Sequence, residues 1–221
     1  MINAYLAHAE KTTLALFDVV VNQNLIVPGK SESQLVQDIS NLAESKGIVY
    51  HWHKKIVRAG QNTVCAYPEN PPDTVIRDND IVILDFGPIV DGYEADLGRT
   101  YVLGNDPIKV QIQRDVEKAW YEVQNWYKRY TKLKASDLYH YAVHKAEEYG
   151  YAFGGEIAGH IVGKFPHEQP ADPKSLELDI HPSNHNDMFL TDAKGNPRHW
   201  ILELLFIDKK HRIGGYFEQR L

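Results

Sequence analysis

The sequence predicts an α+β domain built around an antiparallel sheet. Two pairs of segments show the three- and four-residue spacing of apolar side chains that is typical of amphipathic helices. Each pair is followed by β-branched and aromatic runs separated by turn residues, which indicates strands. The chain has 221 residues, of which 43% are hydrophobic and 24% charged, and this composition can bury the core of an ordinary globular domain.

The first pair of helices is predicted over residues 3–21 and after Ser31. Apolar side chains recur on one face of the first helix at Leu6, Ala9, Thr13, Leu14, Phe17 and Val20. Ser31 and Gln34 match a capping box, which marks the start of the second helix. Gly47 stands where a glycine commonly ends a helix.

Strands are predicted next, over residues 48–66 and 81–84. The latter run consists of four apolar residues and is expected to be buried. Asp91-Gly92 predicts a hairpin turn, and residues 93–103 are the returning strand.

The second pair of helices is predicted over residues 107–130 and 136–149. Asp106-Pro107 marks the start of this pair and Gly150 its end. Strand and turn are predicted over residues 152–168, and a long polar loop over residues 169–198. Two final strands are predicted over residues 199–207 and 214–220.

Composition excludes several classes of protein. A net charge of −6 argues against nucleic-acid binding, and a single cysteine, Cys65, excludes an internal disulfide framework or a cysteine-rich zinc site. Residues 14–27 form the most apolar stretch, which is too short and too polar to span a membrane. With no targeting segment in the sequence, we expect a cytoplasmic protein without membrane association.

Two aspartates follow the buried strand and its hairpin. Asp85 comes directly after residues 81–84, and Asp96 lies eleven residues later, across the Asp91-Gly92 turn. A hairpin of this length brings both carboxylates to neighbouring strands, where burial is costly unless they are paired or bind a metal. In the alternative interpretation, Asp85 caps a turn and Asp96 pairs with Arg99.

Three further residues have similar surroundings. His160 lies between glycines and apolar residues, Glu203 lies in a run of apolar residues, and Glu218 follows an aromatic pair near the end of the chain. Taken singly, His160 could be a hydrogen-bonded core residue and Glu218 a solvated charge. Together, four carboxylates and one imidazole suit Mn²⁺, Co²⁺, Fe²⁺ or Zn²⁺ and predict a site for two divalent ions.

These motifs resemble the family of methionine aminopeptidase, Xaa-Pro aminopeptidase, prolidase and creatinase. The resemblance lies in the run from Asp85-Phe86-Gly87 to Asp96-Leu97-Gly98-Arg99-Thr100, in Gly159-His160 with His167-Glu168, and in Glu203 and Glu218. It implies the pita-bread fold, a curved antiparallel sheet covered by helices. It also implies one catalytic domain over residues 1–221, without a separate N-terminal domain.

The resemblance implies a role for each motif residue. Asp85 would bind one metal ion, Asp96 and Glu218 would bridge two, and His160 and Glu203 would bind the other. Glu203 would also transfer a proton from the nucleophilic water to the leaving amine. His167 would hydrogen-bond the substrate carbonyl or the tetrahedral intermediate.

The implied function is that of a metal-dependent aminopeptidase or dipeptidase acting on a short peptide or small amide-like substrate, as a monomer or homodimer. Residues 62–70 lack the upstream histidine of the family's peptidases, and Ala66 or Tyr67 takes its place. Position 156, a histidine in many prolidase-branch enzymes, is Glu156. Asn62 and the stretch over residues 67–70 favour the Xaa-Pro branch over methionine aminopeptidase. A binding module or a creatinase-like hydrolase of a small C–N substrate remains the alternative. His51 and His53 are expected at the surface.

Overall fold

The computed structural model describes residues 2–221, which contain four α-helices and nine β-strands. The helices are α1 (Ile2–Asn22), α2 (Glu32–Ser45), α3 (Pro107–Tyr127) and α4 (Ala135–Glu148). The strands are β1 (Ile56–Ala59), β2 (Ile81–Phe86), β3 (Ile89–Val90), β4 (Tyr93–Glu94), β5 (Leu97–Val102), β6 (Ala152–Phe153), β7 (Ile161–Val162), β8 (His199–Asp208) and β9 (Ile213–Arg220). The predicted α+β class is confirmed. No helix within residues 2–221 combines the length and the hydropathy needed to cross a membrane.

Seven of the strands form one antiparallel sheet in the order β1-β2-β5-β9-β8-β6, and β7 pairs with β8 beside this row. The remaining two, β3 and β4, form a small separate hairpin. We call residues 2–102 the N-terminal half and residues 107–221 the C-terminal half. The two halves meet where β5 pairs with β9, with Gly98 opposite Glu218.

Each half has its own hydrophobic core. In the N-terminal half, Phe17 of α1 and Leu35 of α2 pack with Leu84 of β2. In the C-terminal half, Trp120 of α3 is fully buried, and its indole donates a hydrogen bond to the Leu202 carbonyl at 2.8 Å. Burying a large apolar side chain stabilises the fold by about 1.5–3 kcal/mol, so the helices hold both halves of the sheet firmly.

The local signals read from the sequence are confirmed. Ser31 and Gln34 form both hydrogen bonds of a capping box at the start of α2. Gly47, just beyond the end of α2, has a φ of 81°. Asp91 and Gly92 have φ values of 51° and 79°, which is the backbone of a tight two-residue hairpin turn.

Three predicted segments differ from the structure. Within residues 48–66, β1 is the only strand of the main sheet, and a short 3₁₀ helix (Gly60–Val64) follows it. The strand predicted over residues 93–103 is divided at Ala95 and Asp96, where the chain leaves the β3–β4 hairpin and joins the main sheet. In α1, Leu16 is fully buried and Leu14 only partly, because α1 is covered on a second side by Ala43 and Ile48.

Candidate metal centre

The predicted ligand residues converge on one cavity. A cavity of about 280 Å³ is lined by Asp85, Asp96, His160, Glu203 and Glu218. The first two come from the N-terminal half and the other three from the C-terminal half. The cavity therefore lies across the junction of the two halves, and its acidic groups belong to distant parts of the chain.

Strand register places three of the carboxylates in a single row. Asp85 of β2 lies opposite Gly98 of β5, Gly98 lies opposite Glu218 of β9, and Glu218 lies opposite Glu203 of β8. Residues directly opposite each other on antiparallel strands present their side chains on the same face. The three carboxylates therefore lie on one face of the sheet, with Gly98 between Asp85 and Glu218, and we call this set the acidic row.

Gly98 leaves a gap in the middle of the acidic row. A Cβ atom at position 98 would lie 2.1 Å from the Tyr216 ring and 2.9 Å from Cβ of Glu218. Any larger residue would therefore push against the side chains that form the floor of the cavity. This glycine is required by close packing at the junction between β5 and β9.

Asp96 and His160 approach the acidic row from loops that precede β5 and β7. The Asp96 side chain is only 2% exposed, and its Oδ2 lies 3.3 Å from Nε2 of His160. Nδ1 of His160 lies 3.0 Å from the Ile161 carbonyl. Because a carbonyl can only accept, Nδ1 carries the proton, and Nε2 faces the carboxylates.

The carboxylates of the row are costly to ionise in isolation. Burial raises the pKa of Glu203 and raises that of Glu218 well above its ordinary value. Burial also raises the pKa of Asp85 to about 7, and the neighbouring carboxylates add to the effect. A bound cation would relieve this repulsion and favour the ionised forms.

The donor set fits a divalent metal ion. Asp96, His160 and Glu218 each offer a ligand atom, and these atoms lie within 4.8 Å of one another. Among the described residues, Oε2 of Glu218 is buried without a hydrogen-bond partner. Buried acceptors without a donor are rare, and a cation supplies the missing partner. Carboxylate oxygens with one imidazole are ligands typical of Mn²⁺, Co²⁺, Fe²⁺ or Zn²⁺.

His53 also belongs to this cluster, so its expected surface position is wrong. Its side chain is 7% exposed, and Nε2 lies 3.0 Å from Oδ1 of Asp96 and 3.7 Å from Oδ1 of Asp85. Although burial acts against protonation, the two carboxylates raise the pKa of His53 to about 10. Burial likewise acts on Asp96, but the charges of His53 and His160 and their hydrogen bonds lower its pKa to about 2.

The position of His53 follows from a pairing between distant segments. The Trp52 amide donates to the Gly87 carbonyl, and the Ile89 amide donates to the Tyr50 carbonyl, both at 2.9 Å. This bridge runs alongside the end of β2, next to Asp85. The sequence gives no local signal for such a contact, and alternation alone could not show which histidine faces inward.

His167 lies beside the centre and is held by a buried acid. Glu94, 2% exposed, accepts hydrogen bonds from the Gly163 amide, the His167 amide and Nδ1 of His167 at 2.9, 3.1 and 2.8 Å. The Trp52 indole packs edge-on against the rings of His167 and His160, with centroids 5.5 and 5.2 Å away. The sequence did not indicate Glu94, whose role depends on a contact 73 residues along the chain.

The alternative pairing of Asp96 with Arg99 is wrong. The Arg99 guanidinium donates to the Glu218 carbonyl at 2.7 Å and stacks on the Phe217 ring at 3.8 Å. The hydroxyl of Thr100 accepts from the Tyr216 amide and donates to the Tyr216 carbonyl. Arg99 and Thr100 thus fasten β9 to β5, and Asp96 is left to the histidines.

The segment that lacks the upstream histidine forms one wall of the cavity. Cys65, Ala66 and Tyr67 all line the cavity, as does Glu156. Arg58 holds this wall by donating to the carbonyls of residues 65, 66 and 69. The wall supplies no imidazole of its own, but the Tyr67 ring meets the His53 ring with centroids 5.9 Å apart.

Known proteins of similar sequence are peptidases. A methionine aminopeptidase of Borreliella burgdorferi is 29% identical over 178 residues, covering 75% of this chain and 66% of that protein. A Xaa-Pro dipeptidase of Lactobacillus helveticus is 29% identical over 165 residues, covering 70% of this chain and 42% of that protein. The chain thus spans about two thirds of the first relative and under half of the second.

Solved structures confirm the pita-bread fold. A dipeptidase of Pyrococcus horikoshii superposes with a TM-score of 0.77 at 25% identity, covering 97% of this chain and 55% of that chain. A methionine aminopeptidase of Rickettsia prowazekii has a TM-score of 0.70 at 16% identity over 100% of this chain and 95% of its own, a likeness of fold alone. Residues 4–191 match the sequence model of the metallopeptidase family M24. On this match, the chain belongs to metallopeptidase family M24.

Proposed function

We propose that this chain is a two-metal aminopeptidase or dipeptidase that hydrolyses the N-terminal peptide bond of a short peptide. The observation that carries the proposal is the acidic row, which sets the carboxylates of Asp85, Glu203 and Glu218 beside Asp96 and His160 in one cavity. All five side chains belong to one sheet and its adjoining loops. Residues 1–221 are therefore proposed to act as a single catalytic domain.

Two divalent ions, Mn²⁺, Co²⁺, Fe²⁺ or Zn²⁺, are proposed to bind in this cavity. Asp85 would hold one ion and His160 and Glu203 the other, while Asp96 and Glu218 would bridge them. Asp96 belongs to two different groups of candidate ligand atoms, each within 4.8 Å, as a bridging carboxylate should. Four carboxylates match the charge of two divalent ions.

Bound divalent ions supply a nucleophilic water at neutral pH and polarise the scissile carbonyl. In this proposal, Glu203 would accept the proton of the attacking water and return it to the leaving amine. The Tyr216 hydroxyl donates to Oε2 of Glu203 at 2.6 Å and keeps that carboxylate oriented. His167, held at Nδ1 by Glu94, would hydrogen-bond through Nε2 to the substrate carbonyl or the tetrahedral intermediate.

The cavity suits a small substrate with an apolar side. Ile56, Ile83, Pro68 and Leu205 line its walls, and about 280 Å³ is the volume of a small-ligand site. We favour Xaa-Pro peptides over methionine peptides because the Asn62 and Tyr67–Asn70 stretch is similar to the Xaa-Pro branch. The relatives include both a methionine aminopeptidase and a Xaa-Pro dipeptidase, so the substrate screen decides between the two.

Two other functions are kept as outcomes of the test, because the Cys65–Tyr67 wall lacks the family's upstream histidine. One is hydrolysis of a small C–N substrate, as in creatinase. The other is a binding module that performs no hydrolysis.

The test is a substrate screen with defined metals. Purified protein is stripped with a chelator, reloaded with Mn²⁺, Co²⁺, Fe²⁺ or Zn²⁺, and assayed with Xaa-Pro dipeptides, methionine peptides and guanidino compounds. We expect metal-dependent release of the N-terminal residue, fastest with Xaa-Pro substrates, and no release by the stripped protein. A protein that holds no divalent ion and cleaves nothing with any metal contradicts the proposal. Cleavage of guanidino compounds alone favours the creatinase-like function, and tight metal binding without hydrolysis favours the binding module.

A further inference from the structure

His53 lies inside the cluster, yet the mechanism above gives it no role. Its Nε2 is 3.0 Å from Asp96 and 3.7 Å from Asp85, and neither acid is more than 9% exposed at its side chain. Together the three side chains offer ligand atoms within 4.8 Å of one another. A nitrogen so placed is either a charged partner of the acids or a ligand of the cation they bind.

The proton on the His53 ring is positioned by the backbone. Nδ1 lies 2.7 Å from the carbonyl oxygen of Lys54, which can only accept a hydrogen bond. Nδ1 therefore carries a proton, and in the neutral ring Nε2 presents its lone pair to the acids. Histidines that bind metals are commonly oriented in this way, with the second ring nitrogen donating to a carbonyl or carboxylate.

His160, a ligand in the proposed centre, has the same arrangement. Its Nδ1 donates to the carbonyl of the next residue, Ile161, as that of His53 does to Lys54. The two imidazoles take different oxygens of one carboxylate, His53 at Oδ1 of Asp96 and His160 at Oδ2. Asp96 thus lies between Nε2 of His53 and Nε2 of His160, and each nitrogen faces one of its two oxygens. Asp96 is also the carboxylate proposed to bridge the two ions.

The backbone is shaped to admit this ring. A Cβ atom at Gly87 would lie 2.1 Å from Cδ2 of His53 and 2.2 Å from Nε2. On the preceding residue, the Trp52 amide bonds to the Gly87 carbonyl, and the Trp52 indole donates to the Ala95 carbonyl at 2.9 Å. His53 is therefore fixed between the segments that carry Asp85 and Asp96, as a preorganised ligand is.

We propose that His53 is a sixth protein ligand of the metal centre and binds the ion on the Asp85 side, so that each ion receives one imidazole. The proposal rests on the two-ion centre described under the proposed function. It also accounts for the altered wall at residues 65–67, because the chain delivers an imidazole to this side of the cavity from a different segment.

The test uses ¹¹³Cd²⁺ as a spin probe of direct bonding. The full chain is labelled with ¹⁵N-histidine and loaded with ¹¹³Cd²⁺, whose spin splits the resonance of any nitrogen bound to it. Cd²⁺ stoichiometry and affinity are measured by titration calorimetry. His53→Gln and His160→Gln assign the two resonances, and His51→Gln, two residues away and outside the cavity lining, is the matched control.

We expect two bound Cd²⁺ ions and two split resonances, one lost in each of the first two variants and both retained in His51→Gln. Losing a residue that only orients a ligand weakens metal binding by about 10–100-fold. We therefore expect His53→Gln to weaken one of the two ions by more than about 100-fold. If His53→Gln does not fold, the wild-type spectrum and His160→Gln still show whether a second imidazole is bound.

Two negative results are distinguishable. If the wild type binds two ions but only the His160 resonance is split, His53 is a charged partner of Asp96 and the inference is wrong, while the metal centre stands. If the wild type binds no Cd²⁺, Mn²⁺ or Co²⁺, the proposed function fails together with it.

Discussion

Each half of the molecule contributes two carboxylates to the candidate centre, but the two halves do so by different means. The C-terminal half supplies Glu203 and Glu218 as direct partners on the β8–β9 hairpin. The N-terminal half supplies Asp85 from β2 and Asp96 from just outside β5, because the β3–β4 hairpin interrupts the connection between these strands. The regular β8–β9 hairpin thus places both of its acids in the acidic row. The interrupted connection between β2 and β5 places Asp85 in the row and Asp96 beside it.

That irregularity gives Asp96 its particular position. Since Asp96 lies off the ladder, both of its oxygens are accessible, one to His53 and the other to His160. Within residues 2–221, neither Glu203 of β8 nor Glu218 of β9 lies between two imidazoles in this way. The comparison indicates that the interrupted half provides the carboxylate that lies between the two sets of proposed ligands.

Asp96→Ala should have the largest effect, since it removes the carboxylate shared by both groups of proposed ligands. We expect loss of most bound metal and a fall in kcat/KM of at least about 10³-fold. Metal content by mass spectrometry and peptide hydrolysis measure the two effects. Asp78→Ala, which alters an exposed acid shortly before β2, is the control and should change neither. Full metal occupancy in Asp96→Ala would disprove a bridging role.

Glu94→Gln tests whether the N-terminal half also positions the C-terminal half's His167. The substitution keeps the size of the side chain but weakens its hold on Nδ1 of His167, so we expect kcat to fall about 10–100-fold. Metal content should stay unchanged, because the Glu94 side chain bonds to Gly163 and His167, neither of which is a proposed ligand. Equal loss of metal and of activity would instead indicate a general collapse of the site.

Removing the metal should make the stability of the folded protein depend on pH. In the metal-free protein, burial raises the pKa of Asp85 to about 7. Although burial acts against protonation of the two imidazoles, the Asp96 carboxylate raises the pKa of His160 to about 9 and that of His53 to about 10, so all three values lie above those of the unfolded chain. The folded state then holds more protons than the unfolded state, so stability falls as pH rises.

We expect the Tm of the stripped protein to fall about 10 °C further than that of the Mn²⁺-loaded protein between pH 5 and pH 9. Scanning calorimetry of both forms measures this difference. If Tm changed with pH equally in the two forms, the protonation of Asp85, His53 and His160 would not depend on the bound metal, and the prediction would be wrong.

Gly98→Ala should have the smallest effect of these changes, a loss of folding stability at the junction between β5 and β9. The added methyl group would press on the Tyr216 ring and on Glu218, at an expected cost of about 1–3 kcal/mol. Denaturant unfolding measures the change, and Gly163→Ala is the control, since its Cβ would meet the nearest atom at an ordinary 3.4 Å. Equal stability of both variants would mean that the junction can relax around position 98.

The sequence predicted what is encoded locally. The capping box at Ser31, the turn at Asp91 and the order of helices and strands all depend on neighbouring residues. The acids of the centre were identified from charges in apolar strand contexts and from motif spacing. The rejected pairing of Asp96 with Arg99 has a local reason too, because residues three apart along an extended chain point to opposite faces.

The remainder depends on contacts between distant segments. His53 enters the centre because residues 50–52 pair with residues 87–89. Glu94 is buried because His167 and Gly163 fold back over it. Neither contact leaves a periodic pattern in the sequence, so burial and partners could be read only from the structure.

The junction between β5 and β9 has a consequence for how the protein folds. Arg99 and the Glu218 carbonyl that it binds are 119 residues apart in the chain. Closing so long a loop is slow and entropically unfavourable, and the proposed ligands are divided between the two halves. High-affinity metal uptake should therefore occur only after both halves have docked, which makes ion retention a reporter of the last assembly step.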